Sequence, residues 1–214
     1  VSTLGKGNFL SYFKYWKVAT PEFRKIVPGL LLFALFNSSD IFLLLITRET
    51  IGEKTLSVMG VTFNADTITI AAYIFYNLVY AIASYPMGIL ADKFSPRKLI
   101  IAGFILFAIV YGGFAFAPSV SAIFILFAIY GMYAAATEGV IKAWITNLAH
   151  KENTATAIGF YTSCESICAL LASIIAGALW SYFGSFYTFI TPTLATIIVI
   201  FYLSNFGVKK HPTT

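Results

Sequence analysis

Six stretches of about twenty nearly uninterrupted apolar residues, at roughly 27–47, 67–87, 98–117, 121–141, 155–180 and 186–206, use up most of this 214-residue chain. A helix rising 1.5 Å per residue needs about 20 residues to cross a hydrocarbon core about 30 Å thick, so each stretch is long enough to span a bilayer. The composition agrees: 59% of residues are hydrophobic and 11% charged, against about 25% charged in soluble domains. A transmembrane barrel fits poorly, because its strands alternate with period two over about ten residues and these runs are continuous and twice that length. The chain therefore reads as an all-α integral membrane protein of six spans.

The breaks carry helix punctuation. Asn64 or Asp66 suits a cap for the second span, and Ser95-Pro96 combines an N-cap with a first-turn proline for the third. Pro118-Ser119-Val120-Ser121, Asn153-Thr154 and Gly184-Ser185 divide the remaining spans. Such short breaks make successive helices antiparallel.

Basic residues near span ends are retained on the cytoplasmic side. Lys6, Lys14, Lys17, Arg24, Lys25, Lys93, Arg97, Lys98, Lys142, Lys151, Lys209 and Lys210 fall on one side, and only Arg48 and Lys54 on the other. Both termini are thus expected in the cytoplasm, with the protein in the inner membrane. The net charge of +5 fits attraction to anionic headgroups, and nucleic acid is excluded as a partner because the basic residues sit in short loops beside apolar spans.

Residues 1–26 read as a cytoplasmic connector. Phe9, Leu10, Phe13 and Trp16 recur at helical spacing with Lys14 and Lys17 on the flank, the pattern of a helix lying in the membrane interface. Thr20-Pro21-Glu22 marks a second helix start and Pro28 a third, at the first span. The interrupted apolar residues and missing small-residue cleavage site do not suit a signal peptide. Residues 207–214 form a short cytoplasmic tail, and the start at Val1 suggests a fragment or processed piece. Cys164 and Cys168, one turn apart, read as small residues packing between helices, since no histidine or further cysteine stands near to complete a metal set. No metal or cofactor is expected.

Ionisable residues inside spans are costly and point to function. Three acids qualify. Glu165 is near the middle of the fifth span with Tyr161 and Cys168 on its face, Asp40 lies in the polar cluster Asn37-Ser38-Ser39-Asp40 of the first, and Glu138 is toward the cytoplasmic end of the fourth. Carboxylates in a poorly hydrated cavity can load and release a proton near neutral pH or hold a cationic group. The structural alternative for Asp40 is a hydrogen bond to a neighbouring helix. For Glu138 the preferred reading is an i,i+4 pair with Lys142. Tyr73, Tyr76, Asn77, Tyr80 and Ser84 share one face of the second span, and Tyr130, Tyr133 and Thr137 continue the theme in the fourth. An aromatic site with a few acids suits an amphipathic or cationic small molecule, and tyrosines packing between helices fit the same pattern. The third and sixth spans are almost wholly apolar, as lipid-facing peripheral helices are.

One polar knot interrupts the apolar pattern: Gly88, Asp92, Lys93, Arg97 and Lys98 between the second and third spans. It resembles the loop signature of the major facilitator superfamily (Gly, three residues, Asp, basic, any, Gly, any, basic, basic), with Ser95 in place of the second glycine. The segments around Asn37 to Asp40, Asn77 to Tyr80, Ser84 to Pro86 and Thr137 to Val140 are similar to bacterial drug- and metabolite-type members. After the fourth span Ala157 and Gly159 keep the family pattern, while His150, Thr154 and Ala155 depart from it.

The resemblance covers about residue 27 to the end. With a basic connector before the first span, it implies the C-terminal six-helix half of a secondary active transporter. The expected partners are a small-molecule substrate, a proton, the lipid bilayer, and an N-terminal six-helix half or a second copy. It also implies that the knot gates, with Asp92 accepting hydrogen bonds from a helix N-terminus and Arg97 holding it in place; topology anchoring by Lys93, Arg97 and Lys98 is compatible with this. A half-sized binding or assembly subunit remains an alternative. A channel lacks a selectivity-filter sequence or ring of charges, and an enzyme lacks a nucleophile with its base or a metal set.

Overall fold

The computed structural model describes residues 11–52, 56–58, 61–116 and 119–205, with the side chains of residues 11–14, 56–58 and 61 excepted. Six candidate spans are present. Helix α1 (Ser11–Val18) precedes a first span built from two helices, α2 (Pro21–Phe36) and α3 (Ile41–Ile51). The others are α4 (Ala65–Lys93), α5 (Pro96–Ala115), α6 (Val120–Leu148), α7 (Thr154–Phe183) and α8 (Ser185–Asn205). Helices α4, α6 and α7 run 29, 29 and 30 residues. At 1.5 Å per residue that is about 44 Å, so each projects well past a hydrocarbon core.

Side-chain caps open α2, α4 and α6, whereas Ser95 precedes Pro96 at the start of α5 without forming the expected side-chain cap bond. Asn64, not Asp66, caps α4: its Oδ1 accepts from the Thr67 amide at 2.9 Å, while Asp66 meets Arg48 at 2.7 Å on an exposed surface. The Ser119 hydroxyl accepts from the Ala122 amide to open α6. Gly184, at φ 90°, ends α7 by donating its amide to Leu179 and Trp180, a left-handed position that suits glycine. The first span starts earlier than its hydropathy suggests. Thr20 caps at the Phe23 amide, Pro21 takes the first helical position, and α2 runs through Pro28, which lies exposed inside the helix instead of starting one. A two-stranded antiparallel ribbon, β1 (Leu56–Val58) and β2 (Val61–Phe63), joins α3 to α4 with Ser57 opposite Thr62. Nothing in the apolar pattern announces it.

Helix α6 is the hub: α4 and α5 pack along it, and α8 packs along α5. Gly131 makes the α4 contact possible, since a Cβ there would come within 2.9 Å of the Tyr76 carbonyl oxygen and 3.0 Å of the Tyr80 amide. Phe104, Phe107, Tyr111, Phe114, Phe189 and Val199 fill the core beneath α5 and α8. The outer faces of those two helices expose Ile105, Ile109, Leu194, Ile198 and Phe201, the apolar surface expected toward lipid. Helices α4 and α7 are the least covered, exposing Ile74, Leu78, Ile82, Leu170, Leu171 and Ile174.

Helix α1 uses its apolar face on the protein. Tyr15 is 1% exposed and lies edge-on to Phe23 at 5.3 Å, while Trp16 stacks on Phe160 of α7 at 6.0 Å. Arg24 donates to the carbonyls of Ala19 and Lys17, closing the C-terminal end of α1, and the Thr20 hydroxyl donates to the Leu148 carbonyl at the end of α6. The aromatic residue the sequence assigns to a lipid interface is thus spent in part on tying α1 to α2 and α7. Phe9 and Leu10 lie outside the described residues, as does the tail from 207 on.

Candidate functional site

Asn37, Ser38, Ser39 and Asp40 are four poor helix formers in succession, because their short polar side chains compete for backbone hydrogen bonds. The helix stops there. The Asn37 amide bonds the Phe33 carbonyl at 2.9 Å, and α3 begins afresh at Ile41. Three bonds pin the break to its neighbours. Tyr130 donates to Asp40 Oδ1 at 2.6 Å, Asn37 Nδ2 donates to the Tyr133 hydroxyl at 3.2 Å, and the Ser39 amide reaches Ser173 Oγ at 3.4 Å.

Each membrane acid accepts from a tyrosine. Besides the Tyr130–Asp40 pair, Tyr80 of α4 donates to Glu138 Oε2 of α6 at 2.8 Å, and Tyr161 donates to Glu165 Oε1 one turn on in α7 at 3.0 Å. All three carboxylates line one cavity of about 290 Å³. Asn37, Tyr76, Tyr130, Tyr133 and Tyr161 share its wall, and Lys142 supplies one cation. Carboxylates facing aromatic rings across a protein-lined space are chemically suited to an organic cation.

The other candidates fall outside that wall. Tyr73 sits behind Tyr76, ring centroids 5.5 Å apart, and Asn77 is turned back onto the Tyr73 carbonyl at 2.8 Å. Tyr80 touches the cavity through Glu138 and itself lines a second groove of about 310 Å³ between α4 and α6. Gly88 and Asp92 lie along that groove; Asp92, Lys93 and Lys98 are exposed.

Two expected contacts are replaced. The Glu138–Lys142 pair is not formed, because Glu138 is drawn to Tyr80, and among the described residues the ion pair present is Arg48–Asp66. Arg97 does not hold Asp92. Its guanidinium donates to the Ser204 carbonyl in the last turn of α8, where unpaired carbonyls and the helix dipole attract a cation. The packing of α5 on α8 carries it there. Sequence reasoning also missed the helix break and the placing of Lys142 at the cavity; four consecutive polar residues in an apolar span were the available signal for the break.

Comparison with known proteins gives a coherent result. A family model described as Major Facilitator Superfamily matches residues 29–213. An uncharacterized MFS-type transporter of Methanocaldococcus jannaschii is 37% identical over 152 residues, 70% of this chain and 36% of its own length. The multidrug efflux pump LfrA of Mycolicibacterium smegmatis is 30% identical over 131 residues, 58% of this chain and 25% of the pump. An uncharacterized transporter of Buchnera aphidicola is 29% identical over 126 residues, 58% of this chain and 31% of that protein. The chain thus spans about a third of the length of the relatives it matches. No solved structure gives a significant match.

Proposed function

The chain belongs to the Major Facilitator Superfamily, and from that premise we propose that it forms the C-terminal six-helix bundle of a proton-coupled secondary transporter working by alternating access. The observation that carries this reading is the convergence of Asp40, Glu138 and Glu165 on one cavity, each held by a tyrosine. Placing three carboxylates within membrane spans is costly, and a proton and cargo pathway accounts for them. The cargo is a small amphipathic or cationic molecule bound between tyrosine rings and acids. The relatives are named as transporters, which supports a carrier rather than an enzyme.

The uncovered faces of α4 and α7 suit a second six-helix bundle, supplied by an N-terminal half or a second copy, closing the cavity from the other side. In this reading both termini face the cytoplasm at the inner membrane. Exposed Asp92 in the α4/α6 groove meets a helix N-terminus of that other bundle and acts as a latch. Arg97 anchors the loop to α8 instead of bracing Asp92.

The experiment is transport into proteoliposomes under an imposed pH gradient, with cargo taken from a thermal-shift screen of metabolites and drugs. Glu165→Gln or Asp40→Asn abolishes gradient-driven transport while leaving insertion intact. Normal transport by both variants, with unchanged pH dependence, removes these acids from the mechanism.

A further inference from the structure

We infer that the break between α2 and α3 is a binding site for a monovalent alkali cation, with sodium as the probe. The inference concerns equilibrium binding and requires neither cargo nor transport.

The last turn of a helix leaves carbonyls without partners. In α2 the final backbone bond is Asn37 to Phe33, and the carbonyls of Ala34, Leu35 and Phe36 accept from no described group. In a bilayer interior such groups have no bulk water to turn to, and irregular backbone survives where it lines a cavity or meets a bound ion. Asn37, Ser38 and Asp40 line the cavity, so the break has an access route.

The side chains add a second, independent observation. Ser38 is 5% exposed and its Oγ has no hydrogen-bond partner among the described residues. Asn37 spends Nδ2 on Tyr133 and keeps a buried, unbonded Oδ1. Asp40 gives Oδ1 to Tyr130, and Oδ2 bonds no described residue. The hydroxyl of Tyr111, also fully buried, likewise has no hydrogen-bond partner among the described residues. Buried polar atoms in native proteins are almost always satisfied, so this concentration calls for an occupant.

Every unpaired atom in the set is an oxygen, the donor type that selects hard cations over transition metals. At the break itself Asp40 is the one carboxylate beside carbonyl, amide and hydroxyl oxygens, Glu138 and Glu165 lying on the cavity wall contributed by α6 and α7. One carboxylate balances a single positive charge, whereas tight divalent sites gather several carboxylates.

The test measures the melting temperature of the purified protein in detergent, without gradient or cargo, as sodium replaces choline at constant ionic strength. Raising sodium from about 1 to about 100 mM is expected to lift Tm on the order of 3 °C. Radiolabelled sodium should bind in parallel. Ser38→Ala and Asp40→Asn should each lose most of the shift; where Asp40→Asn fails to fold, Ser38→Ala carries the test. Equal responses to sodium and choline, or an undiminished response in Ser38→Ala, overturn the site and leave water as its occupant. Either result stands apart from proton-driven transport, which is read in a different assay.

Discussion

At the scale of single residues, the molecule is organised by tyrosine hydroxyls. Removing one from a carboxylate strips an acceptor of its partner. Tyr130→Phe, at a position 3% exposed, should cost about 2 kcal/mol, since hydrogen bonds to charged groups are worth about 1.5–3. Thermal unfolding in detergent reads this as a loss on the order of 5 °C. Tyr15 provides the opposite sign. Burial pushes its hydroxyl pKa up, and the oxygen is buried with no partner among the described residues. Tyr15→Phe keeps the ring on Phe23 and Phe160 and should leave stability unchanged or raise it by about 1 kcal/mol, in the same assay.

This is also the scale at which the sequence was most and least legible. Asp40, Glu138 and Glu165 stood out because an acid among apolar residues needs no partner to be conspicuous. The partners of Asp40 and Glu138 were hidden, because they depend on which helix lies opposite, whereas Glu165 takes Tyr161 one turn away on its own helix. Glu138 had a local candidate in Lys142 at i+4 and took Tyr80 from 58 positions away. Arg97 had Asp92 nearby in sequence and took the end of α8, 107 positions on. Local spacing records what is within reach along the chain; packing decides what is nearer.

At the scale of elements, caps and close contacts govern. Asn64 was readable, as one of two candidates with Asp66, because an N-cap acts within three residues. Pro28 misled, because an exposed proline inside a long, well-packed helix is tolerated. Thr20 does two jobs, capping α2 and holding Leu148. Thr20→Ala should therefore cost about 1 kcal/mol for the cap, and a larger loss would measure the tie to α6. Gly131 is the sharper case. Gly131→Val would drive a side chain into the α4 backbone at Tyr76 and Tyr80, an overpacking penalty of about 1–3 kcal/mol. It should also pull Tyr80 off Glu138, so loss of transport should accompany the drop in Tm.

For the whole molecule, six spans and their alternating direction followed from run length and short breaks, and the structure has six candidate spans. The split first span and the β1–β2 ribbon did not follow. The orientation is open to a direct check. On a Cys164→Ser, Cys168→Ser background, a single cysteine replacing Arg48 should be labelled by an impermeant thiol reagent in intact cells, and one replacing Lys93 only in inside-out vesicles. Labelling of both from one side would dismantle the antiparallel six-span arrangement.

The gap at residues 37–40 has a mechanical meaning. A one-piece rod transmits torque from end to end; a severed one lets its two lengths pivot separately. Helix α2 is clamped through Thr20 and Phe23, while the joint with α3 is steadied by Tyr130, Tyr133 and Ser173. Swinging α3 therefore requires the release of these tethers and of the Arg48–Asp66 pair to α4, and no bending of a helix.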